Sequence, residues 1–147
     1  HQRPASAYPG QVLAGGEGSA RPLFSRALLE VGAAGRRLHV SGTASIRGAQ
    51  TCHIGQPGAQ AALTLDNIDA LLAGVPVHAV EGAGSPAVAA MRRLRVYIKR
   101  AADLGPVRAV VRQRCGQEVP ALFVQADVCR DELLVEMEAV ASVPRPR

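Results

Sequence analysis

Hydrophobic positions recur every second residue toward both ends of the chain and every third or fourth in two intervening stretches. In residues 37–45, Leu38, Val40, Gly42 and Ala44 alternate with His39, Ser41, Thr43 and Ser45, the pattern of a half-buried strand with small polar groups on its other face. Residues 25–31 form a second strand candidate, separated from the first by Gly32, Ala33, Ala34 and Gly35, a hairpin signal. Over 58–72 the period becomes helical. Ala61, Leu65, Ile68 and Leu72 lie at offsets 0, 4, 7 and 11, one continuous face that Gly74 ends.

A Gly/Pro-rich connection over 75–86 and a short helical turn over 87–91 lead to the next strand, where Leu94, Val96 and Ile98 alternate with Arg95, Tyr97 and Lys99. Asp103 and Pro106 start a second helix with Val107, Val110 and Val111 inward, Arg108 and Arg112 outward, and Gly116 at its end. Residues 121–128 and 133–141 read as two closing strands joined through Arg130, Asp131 and Glu132. The predicted order is β-β-α-β-α-β-β, an α+β two-layer sandwich in which a mixed sheet carries two helices on one face. Residues 1–23, broken by Pro4, Pro9, Gly15, Gly16 and Pro22, read as an extended arm or interdomain linker, 24–141 as the folded domain and 142–147 as a flexible tail.

The length, 147 residues, suits one domain with a real core, and with aromatics at 3% and no Trp that core must be aliphatic. The net charge of +5 comes almost wholly from arginine, since Lys99 is the sole lysine. These arginines are scattered, and two Tyr and two Phe cannot supply a base-stacking platform, so nucleic acid is not an expected partner. No apolar run approaches the roughly 20 residues of a membrane span. Cys52, Cys115 and Cys129 are odd in number and lack C-x-x-C spacing, which reads as free thiols in a reducing, cytoplasmic compartment. Starting at His1 without Met, the chain reads as a piece of a longer polypeptide.

The richest stretch chemically is 134–141, where period two puts Glu136 and Glu138 on one face beside the apolar Leu134 and Val140. A carboxyl with apolar neighbours is desolvated and can become a general acid; a strand with one wet face would leave both carboxylates solvated. Cys129 precedes Glu136 by seven residues, close to it if a tight hairpin joins the strands, and is either a small hydrophobe or a nucleophile. Arg130 could hold a substrate carboxylate bidentately or pair with Asp131 or Glu132. Gly42, inside a strand, marks either close approach by another group or a bulge. His39 and His53 have no partners at metal-ligand spacing, so no metal is expected. Phosphate-loop, dinucleotide and G-x-S-x-G signatures are absent from the sequence.

Four segments together resemble the chorismatase family: Phe24-Ser25-Arg26-Ala27; Val40-Ser41-Gly42-Thr43-Ala44-Ser45; Thr64-Leu65-Asp66-Asn67-Ile68, shared with the wider RidA/YjgF superfamily; and Gln125-Ala126-Asp127-Val128-Cys129-Arg130 with Leu134-Val135-Glu136-Met137-Glu138. The resemblance implies a RidA-like domain corresponding to the second, site-bearing half of such an enzyme, acting on chorismate without metal or organic cofactor. It implies Glu136 as the acid that protonates the enolpyruvyl methylene, and Cys129 and Gly42 as the pair associated with the branch that makes 3-hydroxybenzoate and pyruvate. Thr43 and Arg26 would lie near substrate.

The family's Tyr-Gly-Pro-Arg run is replaced by Glu17-Gly18-Ser19-Ala20-Arg21, and Lys99 stands where Arg is common. Two other readings remain. A RidA-type imine or enamine deaminase would need an Arg shortly after a Pro-Ala pair, and here Pro120-Ala121 is followed by Leu122. A non-catalytic RidA-like domain would use its sheet to self-associate as a homotrimer, or would pair with a missing N-terminal half.

Overall fold

The computed structural model describes residues 25–33, 35–73 and 91–143. The expected arm, Phe24, the Gly74 stop, the 75–86 connection and residues 87–90 of the expected helical turn lie outside them; Met91, the last residue of that turn, instead opens a strand.

A five-stranded mixed sheet forms one layer. Its strands are β1 (Ala27–Gly32), β2 (Gly35–Ala44), β5 (Met91–Ile98), β6 (Ala121–Gln125) and β7 (Val135–Val143). A two-stranded hairpin, β3 (Ile46–Arg47) with β4 (Gln50–Thr51), interrupts the stretch before the first helix, turning at Gly48, whose φ of +62° suits a residue without Cβ. Helices α1 (Pro57–Ala73) and α2 (Leu104–Cys115) form the second layer. The sheet order is β1-β2-β7-β5-β6, with β5 and β6 parallel and all other pairs antiparallel.

The alternations and helical faces account for the core. Ala61, Leu65, Ile68 and Leu72 of α1 and Val107 and Val111 of α2 pack onto Leu38, Val40, Leu94, Val96, Met137 and Ala139 of the sheet. On α2 the arginine side is exposed, and Arg108 lies over the Phe123 ring. Gly116 ends α2 with φ of +71° and its N–H on the Arg112 carbonyl. Ser142 and Val143, assigned to the tail from the sequence, continue β7 opposite Arg37 and Arg36, and the rest of that segment lies outside the described residues.

Two strand expectations are corrected. Because α2 forms a crossover between β5 and β6, the two run parallel, and β7 adds to the other side of β5. The last two strands are therefore separated by β5 and form no hairpin; Cys129 lies in a loop over 126–134 that crosses the carboxyl end of β5. That loop is anchored by the Ala126 N–H on the Ile98 carbonyl and the Lys99 N–H on the Leu134 carbonyl. The second correction is in β2, whose alternation breaks between Val40 and Thr43, where the register with β7 shifts.

Fully buried amides of α1 tie these parts together. Gln60 Nε2 donates to the Glu132 carbonyl at 2.8 Å and the His53 carbonyl at 3.3 Å, while its Oε1 accepts the Leu134 N–H at 2.7 Å. Asn67 Nδ2 donates to the carbonyls of Ala44 and Ile46, which ties α1 to the end of β2 and the start of the hairpin. Gln60→Leu orphans the Leu134 N–H and the Glu132 carbonyl, and should destabilise the fold by about 2–4 kcal/mol in denaturant melts.

Candidate active site

Strand β7 lies between β2 and β5, so its side chains meet neighbours on both flanks. Val135, Met137, Ala139, Ala141 and Val143 face the helices and are buried; Glu136, Glu138 and Val140 face the other, open side and are half-buried. Glu136 stands opposite Ala44 on β2 and Tyr97 on β5.

The break in β2 is a bulge: Ser41 and Gly42 together oppose Glu138, between the pairs Val40–Ala139 and Thr43–Met137. Close approach and bulge, the two explanations for Gly42, both hold. A Cβ at position 42 would collide with Glu136 Oε1 and lie 3.1 Å from the carboxyl carbon. The carboxyl thus lies against bare backbone.

Burial, together with the charge of Glu138, pushes the Glu136 carboxyl above the usual carboxylate range. Glu138 is held from β5: Tyr97 Oη donates to its Oε2 at 3.0 Å and Arg95 Nη1 at 3.2 Å, and Arg95 Nη1 also donates to Tyr97 Oη at 3.3 Å. Beside Glu138 opens a hollow of about 390 Å³ lined by Leu28, His39, Ser41, Arg93, Arg95 and Val140 among others. Glu138 is in its wall and Glu136 is not, so the hollow opens on the Glu138 side of the pair.

The other candidates are placed as follows. Arg26 precedes β1 and its carbonyl accepts the Ser41 N–H beside the bulge. Thr43 is fully buried, pairs with the inward-facing Met137 and donates its hydroxyl to the Ser41 carbonyl, so its side chain belongs to the helix-covered side. Cys129 is an exposed free thiol. Arg130 Nη1 donates to the Ala49 carbonyl at 2.9 Å and contacts Thr51 Oγ1 at 3.4 Å, clamping the crossing loop to the β3–β4 hairpin.

Gly42 and Glu136 are therefore brought into contact, Arg26 meets the bulge through its backbone, and Thr43 and Arg130 are engaged elsewhere. Among the other thiols, Cys115 is buried in the core and pushed up to about 11 by burial, which makes it a packing group. Sequence reasoning missed the Arg95–Tyr97–Glu138 cluster. Each member sits at a regular alternating position, but only the adjacency of β5 and β7 joins them.

No family model matches the chain. It is 34% identical over 143 residues to a 3-hydroxybenzoate synthase of Streptomyces hygroscopicus, a match covering 95% of this chain and 41% of that protein. It is also 34% identical over 123 residues to a chorismatase of Streptomyces rapamycinicus, covering 82% and 37%. A chorismatase crystal structure superposes with a TM-score of 0.73 and 30% identity, over 96% of this chain and 41% of the other. The chain thus spans about two fifths of the length of these relatives. A YjgF/YER057c/UK114-family protein of Mycobacterium tuberculosis matches with a TM-score of 0.62 at 24% identity, over 82% of this chain and 86% of the other. The fold is of the RidA/YjgF type.

Proposed function

We propose that this chain, a relative of the chorismatases, is the site-bearing RidA-like part, their second half, of an enzyme that converts chorismate to 3-hydroxybenzoate and pyruvate. The observation that carries this reading is the half-buried Glu136 carboxyl, raised toward its protonated form and seated against Gly42 at the centre of the sheet.

In the proposed mechanism Glu136 gives its proton to the enolpyruvyl methylene, leaving an oxocarbenium-like carbon. Water adds there and returns a proton to Glu136; the bond from that carbon to the ether oxygen then breaks, the oxygen takes the added hydroxyl's proton and stays on the ring, and pyruvate leaves. The ring then loses its other hydroxyl together with one ring hydrogen as a single water, and becomes aromatic. The water taken up equals the water lost, so no oxidant or reductant is consumed. Apolar neighbours and the bare backbone of Gly42 keep the acid desolvated until substrate arrives.

The test is incubation of the complete enzyme with chorismate and chromatographic identification of the products; 3-hydroxybenzoate and pyruvate in equal amounts support the reading, and unchanged chorismate rejects it. Cys129, exposed in the loop that crosses β5, is proposed to steer aromatisation. Cys129→Ala should divert product toward a non-aromatic dihydrodiol while chorismate consumption stays within about tenfold of wild type. If the variant still yields 3-hydroxybenzoate alone, Cys129 has no part in product choice.

A further inference from the structure

Glu138 stands two residues from Glu136 on the same face of β7, which sets their backbones roughly 7 Å apart. The groups facing this pair come from the two strands that flank β7. On β5, Tyr97 lies opposite Glu136 and Arg95 opposite Glu138, and both donate to Glu138. Just beyond β5, Lys99 is paired with Asp127 and Asp131 of the crossing loop. On β2, Glu136 meets the uncharged Gly42 and Ala44, while His39 lies opposite Val140 and is bonded to Glu30. Among the described residues Glu136 has no ion pair, whereas Glu138 takes the Arg95 guanidinium; Arg93, opposite Val140, lines the hollow on the Glu138 side.

We propose that Glu138 is a positioning residue for Glu136: fixed by Arg95 and Tyr97, it withholds the nearby cation and presents a like charge, so that Glu136 remains a proton donor. This rests on the reading of Glu136 as the acid. It assigns to the Arg95–Tyr97–Glu138 cluster a role in setting the protonation of its neighbour, in addition to joining β5 to β7. The combined push of burial and of the Glu138 charge on Glu136 agrees with it.

The experiment is a carboxyl-carbon NMR titration of Glu136 in wild type, Glu138→Gln and Glu138→Asp, with pH profiles of kcat/KM on chorismate measured alongside. Glu138→Gln keeps acceptors for Tyr97 and Arg95 but removes the charge, and should lower the Glu136 midpoint by roughly half to one pH unit. The alkaline limb of the rate profile should move down with it. Glu138→Asp, which keeps the charge, should titrate close to wild type. An unmoved midpoint in Glu138→Gln, or an equal shift in both variants, overturns the proposal. A midpoint that moves as expected without any turnover of chorismate supports the coupling and rejects the reaction.

Discussion

Glu136→Gln is expected to lower chorismate turnover by about 10²–10⁴-fold, the usual contribution of a positioned proton donor. The amide fits the same space against Gly42 but has no proton to give. Stability should move the other way. The Glu136 carboxyl titrates higher in the fold than in the unfolded chain, so the folded state holds its proton more tightly. Its stabilising contribution is therefore complete below the ordinary carboxylate range and is lost as pH rises through the folded-state value. As pH rises through that window the wild type loses a contribution that glutamine, with no proton to lose, keeps. The variant should melt above wild type at pH 7, and the gap should close below about pH 4. Thermal melts at the two pH values, paired with turnover, check both halves. Retention of full activity would remove Glu136 from the mechanism.

Gly42→Ala should separate function from stability in a different way. The added methyl would strike Glu136 Oε1, the far end of a side chain that can swing aside, and no backbone atom is among its near neighbours. The melting temperature should consequently change by no more than about 3 °C, since a half-buried side chain that swings toward the open face of the sheet leaves the core packing intact. The carboxyl, however, is displaced by on the order of an ångström, enough to cost about 10- to 100-fold in turnover. Gly42→Val should displace it further and lose more. If Gly42→Ala kept wild-type turnover with Glu136 still essential, the contact would not be what positions the acid.

Much of the architecture was legible in the sequence because it depends on local spacing. The α1 face of Ala61, Leu65, Ile68 and Leu72 is buried as its offsets require, and Gly32 and Gly35 flank the predicted hairpin. The pairing of Glu136 with Glu138 on one face likewise followed from period two. What was not legible depends on which strands are neighbours. The order of residues 121–141 suggested a hairpin, and only the α2 crossover, which sets β6 parallel to β5, removes it. Gln60 looks like an ordinary polar helix residue, yet its amide binds the crossing loop 72 residues away. Arg130, read as a partner of a substrate carboxylate or of Asp131 or Glu132, instead reaches the β3–β4 hairpin, which nothing local in the sequence places beside it. The Ser41–Gly42 bulge reverses the sequence assignment of Thr43, because one extra residue turns the rest of the strand over.

Strand β7 follows every other strand of the sheet in the chain and yet occupies its middle. Without it, the sheet is two separate pairs, β1–β2 and β5–β6. During synthesis the hairpin and the βαβ unit emerge first, but neither can be joined to the other until residues 135–143 leave the ribosome. Insertion between two waiting edges requires contacts distant in sequence, which slows folding and leaves those edges open to mispairing with other chains in the interval. The same strand delivers Glu136. Glu136 is thus brought between β2 and β5 by the event that completes the fold, and a nascent chain that has not closed its sheet lacks the Glu136–Gly42 contact on which the proposed site depends.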